Sequence, residues 1–209
     1  MVDAAHGVQT VYQGYGKIVS DKVAFIIVID QSGSMSGGKI EAATATAVLM
    51  SEALMHNSSI ELYIYGHTGD VIDGESTDII VYREQGYHKP YALGSCTYQS
   101  QNRDGTAIAE ILARVRSQTK RKGVMFFIAD GAPCASGYGG QKAVEDVKNA
   151  VRKAEQEGIH VINIAIESSY DPSKMFKHYV KFTDLSNLGK DISRLMKNIL
   201  YKTQKIHST

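Results

Sequence analysis

Two stretches of the chain, Val23 to Asp30 (VAFIIVID) and Gly123 to Asp130 (GVMFFIAD), are nearly unbroken apolar runs that end in aspartate. A strand covered on one face alternates apolar with polar residues, whereas a strand covered on both faces has no position left for a polar one. Both runs therefore read as central strands of a parallel sheet. Between Lys39 and His56 the period changes, and Ile40, Ala43, Ala47, Met50 and Leu54 fall on one face of a helix. Ile60 to Gly66 reads as another strand. Val71 to Tyr82 reads as a hairpin-like excursion that turns at Asp73-Gly74 and ends in an edge strand at Ile79 to Tyr82. Residues 83–104, rich in Tyr, Gly, Gln and Ser without a period, are expected to form an elaborated loop. Helices are predicted at Thr106 to Ser117 and at Lys142 to Glu157, the latter closed by Gly158. A strand at His160 to Ile166, a short helix at Pro172 to Tyr179, a short strand at Val180 to Thr183 and a last helix from Asp191 to about Tyr201 complete the chain. Strands alternating with helices predict an α/β fold with a mostly parallel sheet covered on both faces and one antiparallel edge strand.

Length and composition narrow this further. At 209 residues the chain is long enough for one α/β domain and short for two. With 43% hydrophobic and 22% charged residues it has the make-up of a folded domain rather than a disordered one. The formal net charge of +1 creates no field that would draw nucleic acid or an anionic membrane, so neither is expected as a partner. The basic stretch Arg114 to Lys122 reads as a solvated helix face. Met1 to Ser20 lacks the charged start and apolar core of a secretory signal, and no apolar run approaches the ~20 residues that span a bilayer. Cys96 and Cys134 are isolated and suit a reducing compartment. A cytoplasmic location is the expectation.

The chemistry gathers where those two central strands end. In open α/β sheets ligands bind beyond the carboxyl ends of the strands, so Asp30 and Asp130 are expected on one functional edge. After Asp30 come Gln31-Ser32-Gly33-Ser34, whose alternate hydroxyls can converge in a tight loop. Thr106 starts a helix after Asp104-Gly105 and could approach from a neighbouring loop. Carboxylate and hydroxyl oxygens are hard donors, suited to Mg²⁺, Mn²⁺ or Ca²⁺. Few carboxylates bound directly would leave the cation electrophilic toward a carboxylate from outside.

The DQSGS of residues 30–34 resembles the DxSxS signature of the metal-ion-dependent adhesion site in von Willebrand factor A-like domains, and Thr106 and the ADGAP around Asp130 resemble that site's second and third loops. The resemblance covers about residues 22–203, leaving 1–21 as an N-terminal extension and 204–209 as a tail. It implies a doubly wound, Rossmann-like sheet with Mg²⁺ at its top. Ser32 and Ser34 would ligate directly, Thr106 directly or through water, and Asp30 and Asp130 mainly through water. The NRDGTAI and ADGAP strings are similar to the intracellular branch, such as the C-terminal domains of cobalt-chelatase CobT-type subunits, whose relatives commonly work beside AAA+ ATPases. Asp104 could share or replace the role of Thr106. The function implied is a non-enzymatic, Mg²⁺-dependent module that binds an Asp or Glu of a partner protein. The alternative is a component of an AAA+ ATPase-driven chelatase or remodelling complex.

The same residues admit rival readings. Gly33 to Ile40 (GSMSGGKI) is nearly a phosphate-binding P-loop, which would make the chain a nucleotide hydrolase, but position 40 offers no hydroxyl and Asp30 sets a carboxylate beside the cradle. A serine hydrolase built on Ser32 or Ser34 lacks both a nucleophile-elbow sequence and an evident histidine partner. His67, His88 and Cys96 match no zinc module. Tyr82, Tyr87, Tyr91 and Tyr98 either pack their loop or meet a partner, with Tyr87 and Tyr91 the candidates for partner binding.

Overall fold

The computed structural model describes residues 22–69, 76–89, 92–182, 187, 189–195 and 197. The expected N-terminal extension and tail, the turn at Asp73-Gly74, and Tyr91 lie outside the described residues. Seven strands form one sheet: β1 (Val23–Asp30), β2 (Ile60–Gly69), β3 (Thr77–Glu84), β4 (Tyr87–His88), β5 (Gly123–Ala129), β6 (Ile159–Ile166) and β7 (His178–Phe182). Their spatial order is β4-β3-β2-β1-β5-β6-β7. The pairs from β2 through β1, β5 and β6 to β7 are parallel, and β3 and the two-residue β4 add an antiparallel margin. The helices are α1 (Gly38–Met55), α2 (Asp104–Gln118) and α3 (Gly140–Gln156), followed by a helical segment at residues 189–195. The architecture is the doubly wound, mostly parallel sheet with an antiparallel edge.

Every residue of β1 and β5 is buried, because the sheet is covered on both sides. Alternate side chains serve opposite faces. Phe25, Ile27 and Ile29 pack with Phe126, Ile128 and the α1 residues Ile40, Ala43, Ala47, Met50 and Leu54. Ala24, Ile26 and Val28 pack with Met125, Phe127 and the α2 and α3 residues Ile108, Ile111, Val115, Val147 and Val151. The helical stripe expected on α1 is thus the stripe it buries.

Local pattern understated what pairing extends. β2 continues to Gly69 and β3 spans Thr77–Glu84, each held by the other as far as the Gly69 and Thr77 pair. The stretch 83–104 is not loop throughout: it contains β4 and a 3-10 turn at Leu93–Ser95, and α2 begins at Asp104, two residues before the predicted start. The short helix expected over 172–179 is only the 3-10 turn Pro172–Lys174, capped by the Asp171 side chain at 3.0 Å from Ser173 N. From His178 the chain joins the sheet, with Ile162 beside His178 and Ile166 beside Phe182. Edge pairing, which buries Val180 and Phe182, overrides a weak helical preference there. Among the described residues no helix is long and apolar enough to cross a membrane.

Candidate metal centre

β1 and β5 are neighbours, yet the chain leaves β1 for α1 on one face and β5 for α3 on the other. That divergence opens a crevice at their carboxyl ends. Asp30 and Asp130 form its lips, both buried.

The first loop is shaped by its own aspartate. Asp30 Oδ1 accepts from Ser32 N at 2.8 Å, an Asx turn that folds the chain back at once, and Ser32 O accepts from Met35 N at 3.0 Å. Gly33 N donates to Ser100 O at 2.6 Å and Gln99 N to Gln31 O at 2.6 Å, fastening this loop to the segment before α2. Gln31 adds side-chain anchors: its amide donates to Thr97 O at 2.6 Å and its carbonyl accepts from Tyr82 OH at 3.1 Å. Gly66 makes room for it, since a Cβ there would lie 1.9 Å from Gln31 Oε1.

The hydroxyls converge as a result. Ser32 Oγ and Ser34 Oγ stand 3.0 Å apart, and Ser34 Oγ donates to Asp130 Oδ1 at 2.8 Å. Lys39, on the first turn of α1, donates to Asp130 Oδ2 at 2.6 Å and to Ser34 O at 3.3 Å. Asn102 links the other two loops: its amide donates to Asp30 Oδ2 at 3.3 Å, and its carbonyl accepts from Cys134 N at 2.8 Å.

Asp104 opens α2 as a fully buried residue, and neither carboxylate oxygen has a hydrogen-bond partner. Burial, then the nearby charge of Asp30, holds its carboxyl well above the usual range, while the Asn102 side chain, outside hydrogen-bond geometry, pulls it the other way. Burial likewise pushes Asp30 up to about 7, with Asp130 adding to the rise and the Ser32 and Asn102 hydrogen bonds opposing it. His67 lies beneath, its ring stacked on Phe127 at 5.2 Å and its Nε2 4.0 Å from Asp104 Oδ1, too far for a hydrogen bond. Burial pushes the imidazole down to about 3, so it is neutral.

Of the residues singled out from sequence, Asp30, Ser32, Ser34 and Asp130 form one connected cluster, and Asp104 lies within electrostatic reach of both aspartates. Thr106 makes no hydrogen bond to that cluster, and it lines a cleft of about 720 Å³ with Arg103, Tyr138, Lys142 and Asp146. Tyr87 is exposed on β4 with the Lys89 ammonium 5.5 Å from its ring centre, and Tyr98 is exposed. Tyr82 is a packing residue, buried and bonded to Gln31. His67, His88 and Cys96 occupy the core beneath the crevice, the edge strand and a half-buried loop. Cys96 and Cys134 are free thiols. Gln31, Lys39, His67 and Asn102 were not found as site residues by sequence. Each had stood inside a signal that did not mark it as a site residue: Gln31 in DQSGS, Lys39 in the near P-loop string, His67 among the zinc candidates and Asn102 at the start of NRDGTAI.

What this arrangement suits is set by its charge. Among the described residues no three His, Cys, Asp or Glu side chains are grouped so as to hold a metal by themselves, so a cation here must use the serine hydroxyls as well. Such hard, partly neutral donors fit Mg²⁺ or Mn²⁺. Asp104 supplies the strongest indication of fit, because a buried carboxyl without a partner is costly unless a cation or proton satisfies it.

A family model described as von Willebrand factor type A domain matches residues 25–193. A Bacillus subtilis (strain 168) protein described as "Uncharacterized protein YojO" is 29% identical over 113 residues, covering 50% of this chain and 18% of that protein. The chain thus spans under a fifth of that relative's length. Among solved structures, a von Willebrand factor type A protein from Catenulispora acidiphila superposes with TM-score 0.62 at 16% identity, over 84% of this chain and 42% of that one. Proximal thread matrix protein 1 from the mussel byssus, with a zinc-occupied MIDAS motif, superposes with TM-score 0.60 at 11% identity, over 85% and 46% of the two chains. At these identities the structural likeness speaks for the fold.

Proposed function

The chain belongs to the von Willebrand factor type A domain family, whose members are commonly protein-interaction modules, and from that premise we propose that it binds a partner protein through a divalent cation held at the β1–β5 crevice. Ser32 and Ser34 are its hydroxyl ligands, and Asp30, Asp130 and Asp104 supply the negative charge. The cation is Mg²⁺, with Mn²⁺ or Ca²⁺ as substitutes. Zinc fills the corresponding motif in the mussel protein, which supports a divalent ion, while the all-oxygen donor set here favours a harder one. Bound there, the cation supplies a Lewis-acidic position for an Asp or Glu of the partner.

One observation carries this reading. Two convergent hydroxyls and two hydrogen-bonded aspartates meet at the switch point of the sheet, beside a third carboxyl that is buried without a partner. Asp104 replaces Thr106 as the second-loop contributor in this proposal, because Thr106 lines the neighbouring cleft. Tyr87, exposed at the margin, is a candidate partner contact, as is Tyr91. The NRDGTAI and ADGAP strings extend the reading to a dock within an assembly driven by an AAA+ ATPase.

Titration of the purified chain with MnCl₂, followed by electron paramagnetic resonance, tests the cation: binding should be saturable in wild type and lost in the Ser32→Ala/Ser34→Ala double variant. Pull-down with wild type and Asp30→Ala, each in Mg²⁺ and in EDTA, tests the partner. A partner captured equally in all four conditions does not bind through this centre.

A further inference from the structure

Lys39 stands at a place where a helix does not favour a cation. It is the second residue of α1, and the amino-terminal turn of a helix carries partial positive charge. It is nevertheless turned back across the crevice, with its ammonium 2.6 Å from Asp130 Oδ2 and 3.3 Å from Ser34 O. Both of its partners belong to the metal centre, and one lies 91 residues away in sequence. The Asp130 side chain is 4% exposed and that of Lys39 30%, so the pair sits at the mouth of the crevice with an open path to water on the lysine's side.

Asp130 therefore has both oxygens engaged, one by the Ser34 hydroxyl and one by the ammonium. A divalent cation drawing on Ser34 and Asp130 would stand close to that ammonium, and like charges at such separations repel strongly in a partly buried site. We propose that Lys39 is a tethered cation that competes with the divalent ion for Asp130, lowering the centre's affinity so that it fills only at high cation concentration. Resting on the metal-dependent reading above, this adds the regulation of that site. It also accounts for the lysine of the near P-loop string without a nucleotide. When the divalent ion enters, the ammonium gives up Asp130 and moves out to solvent. When the ion leaves, Lys39 bridges the first and third loops in its place.

The test uses Mn²⁺ as the probe on wild type, Lys39→Met and Lys39→Arg. Methionine keeps the stem and helix propensity and removes the charge, while arginine keeps the charge. Lys39→Met is expected to bind Mn²⁺ about tenfold more tightly, as removal of one nearby like charge should allow, with Lys39→Arg close to wild type. In EDTA, Lys39→Met should melt below wild type, and saturating Mn²⁺ should close or reverse that gap. Equal or weaker Mn²⁺ binding by Lys39→Met, with wild type binding normally, overturns this proposal and leaves the metal reading standing. No Mn²⁺ binding by any of the three folded proteins overturns both.

Discussion

Asp104 and Thr106 are two residues apart on the first turn of α2, and at about 100° per residue their side chains leave the axis roughly 200° apart. They cannot both aim at one point. Asp104→Asn should therefore lower Mn²⁺ affinity at least tenfold while Thr106→Ala changes it less than about threefold, since only the former removes a charge felt by the ion. The reverse ranking in a Mn²⁺ titration would restore Thr106 as the second-loop ligand. Burial of these groups also sets a pH dependence. Asp30 rises from 3.8 to about 7, so between those values the folded protein keeps a proton that the unfolded chain releases. Its contribution to stability falls as pH rises through that window. His67 opposes this: lowered from 6.5 to about 3, it takes up a proton on unfolding, and its contribution grows as pH rises through that interval. Asp104, raised by burial, acts in the same sense as Asp30. In EDTA, Asp30→Asn should therefore lose less urea resistance than wild type as pH rises from about 4 to about 7, because asparagine has no proton to release on unfolding. The same pH dependence in both proteins would contradict the raised Asp30 carboxyl.

At the scale of elements, α2 and α3 approach closely because Gly105 has no side chain. A Cβ there would lie 2.2 Å from Asp146 Oδ2 and 2.9 Å from the Asp146 backbone carbon. The backbone contact cannot be relieved by a rotamer change. Tyr138 seals the same junction, donating to Asp146 Oδ2 at 2.6 Å and accepting from Gly105 N at 3.3 Å. Gly105→Ala should thus destabilise the fold by about 1–3 kcal/mol, the usual range for overpacking, and shift α2 at the end that carries Asp104. At Gly66 the nearest atoms are side-chain atoms of Gln31 and Tyr82 and none is backbone, so alanine there can be accommodated by giving up the hydrogen bond between them and should cost less. Urea denaturation of the two variants would rank them, and a larger loss at Gly66 would show that the first loop, not the helix junction, is the rigid one.

For the molecule as a whole, the crevice and the core are separable. Both hydrophobic clusters are built from strand and helix side chains that do not depend on the centre. EDTA should leave the far-ultraviolet circular dichroism unchanged. Mg²⁺ at about a hundred times its Kd should contribute about 2.7 kcal/mol by linkage, raising Tm by several degrees. Unfolding on chelation would instead mark a structural metal.

The central strands, the buried stripe of α1 and the placement of Asp30, Ser32, Ser34 and Asp130 at strand ends were legible in the sequence. A residue's direction within its own element follows from a local period of two or 3.6, and an aspartate closing an all-apolar strand must emerge at its tip. What required the tertiary structure was every relation between elements. How α2 is rotated when it docks on α3 decides that Asp104 feels the charges of Asp30 and Asp130 while Thr106 lines the cleft with Tyr138 and Asp146. Lys39 reaches Asp130 because α1 starts beside the end of β5. His67 lies below Asp104 because β2 runs past its predicted end, and Tyr82 meets Gln31 across an antiparallel pairing whose register shifts between Ile64 and Tyr65. Helix rotation and strand register are chosen by packing over the whole sheet, and no local period encodes them.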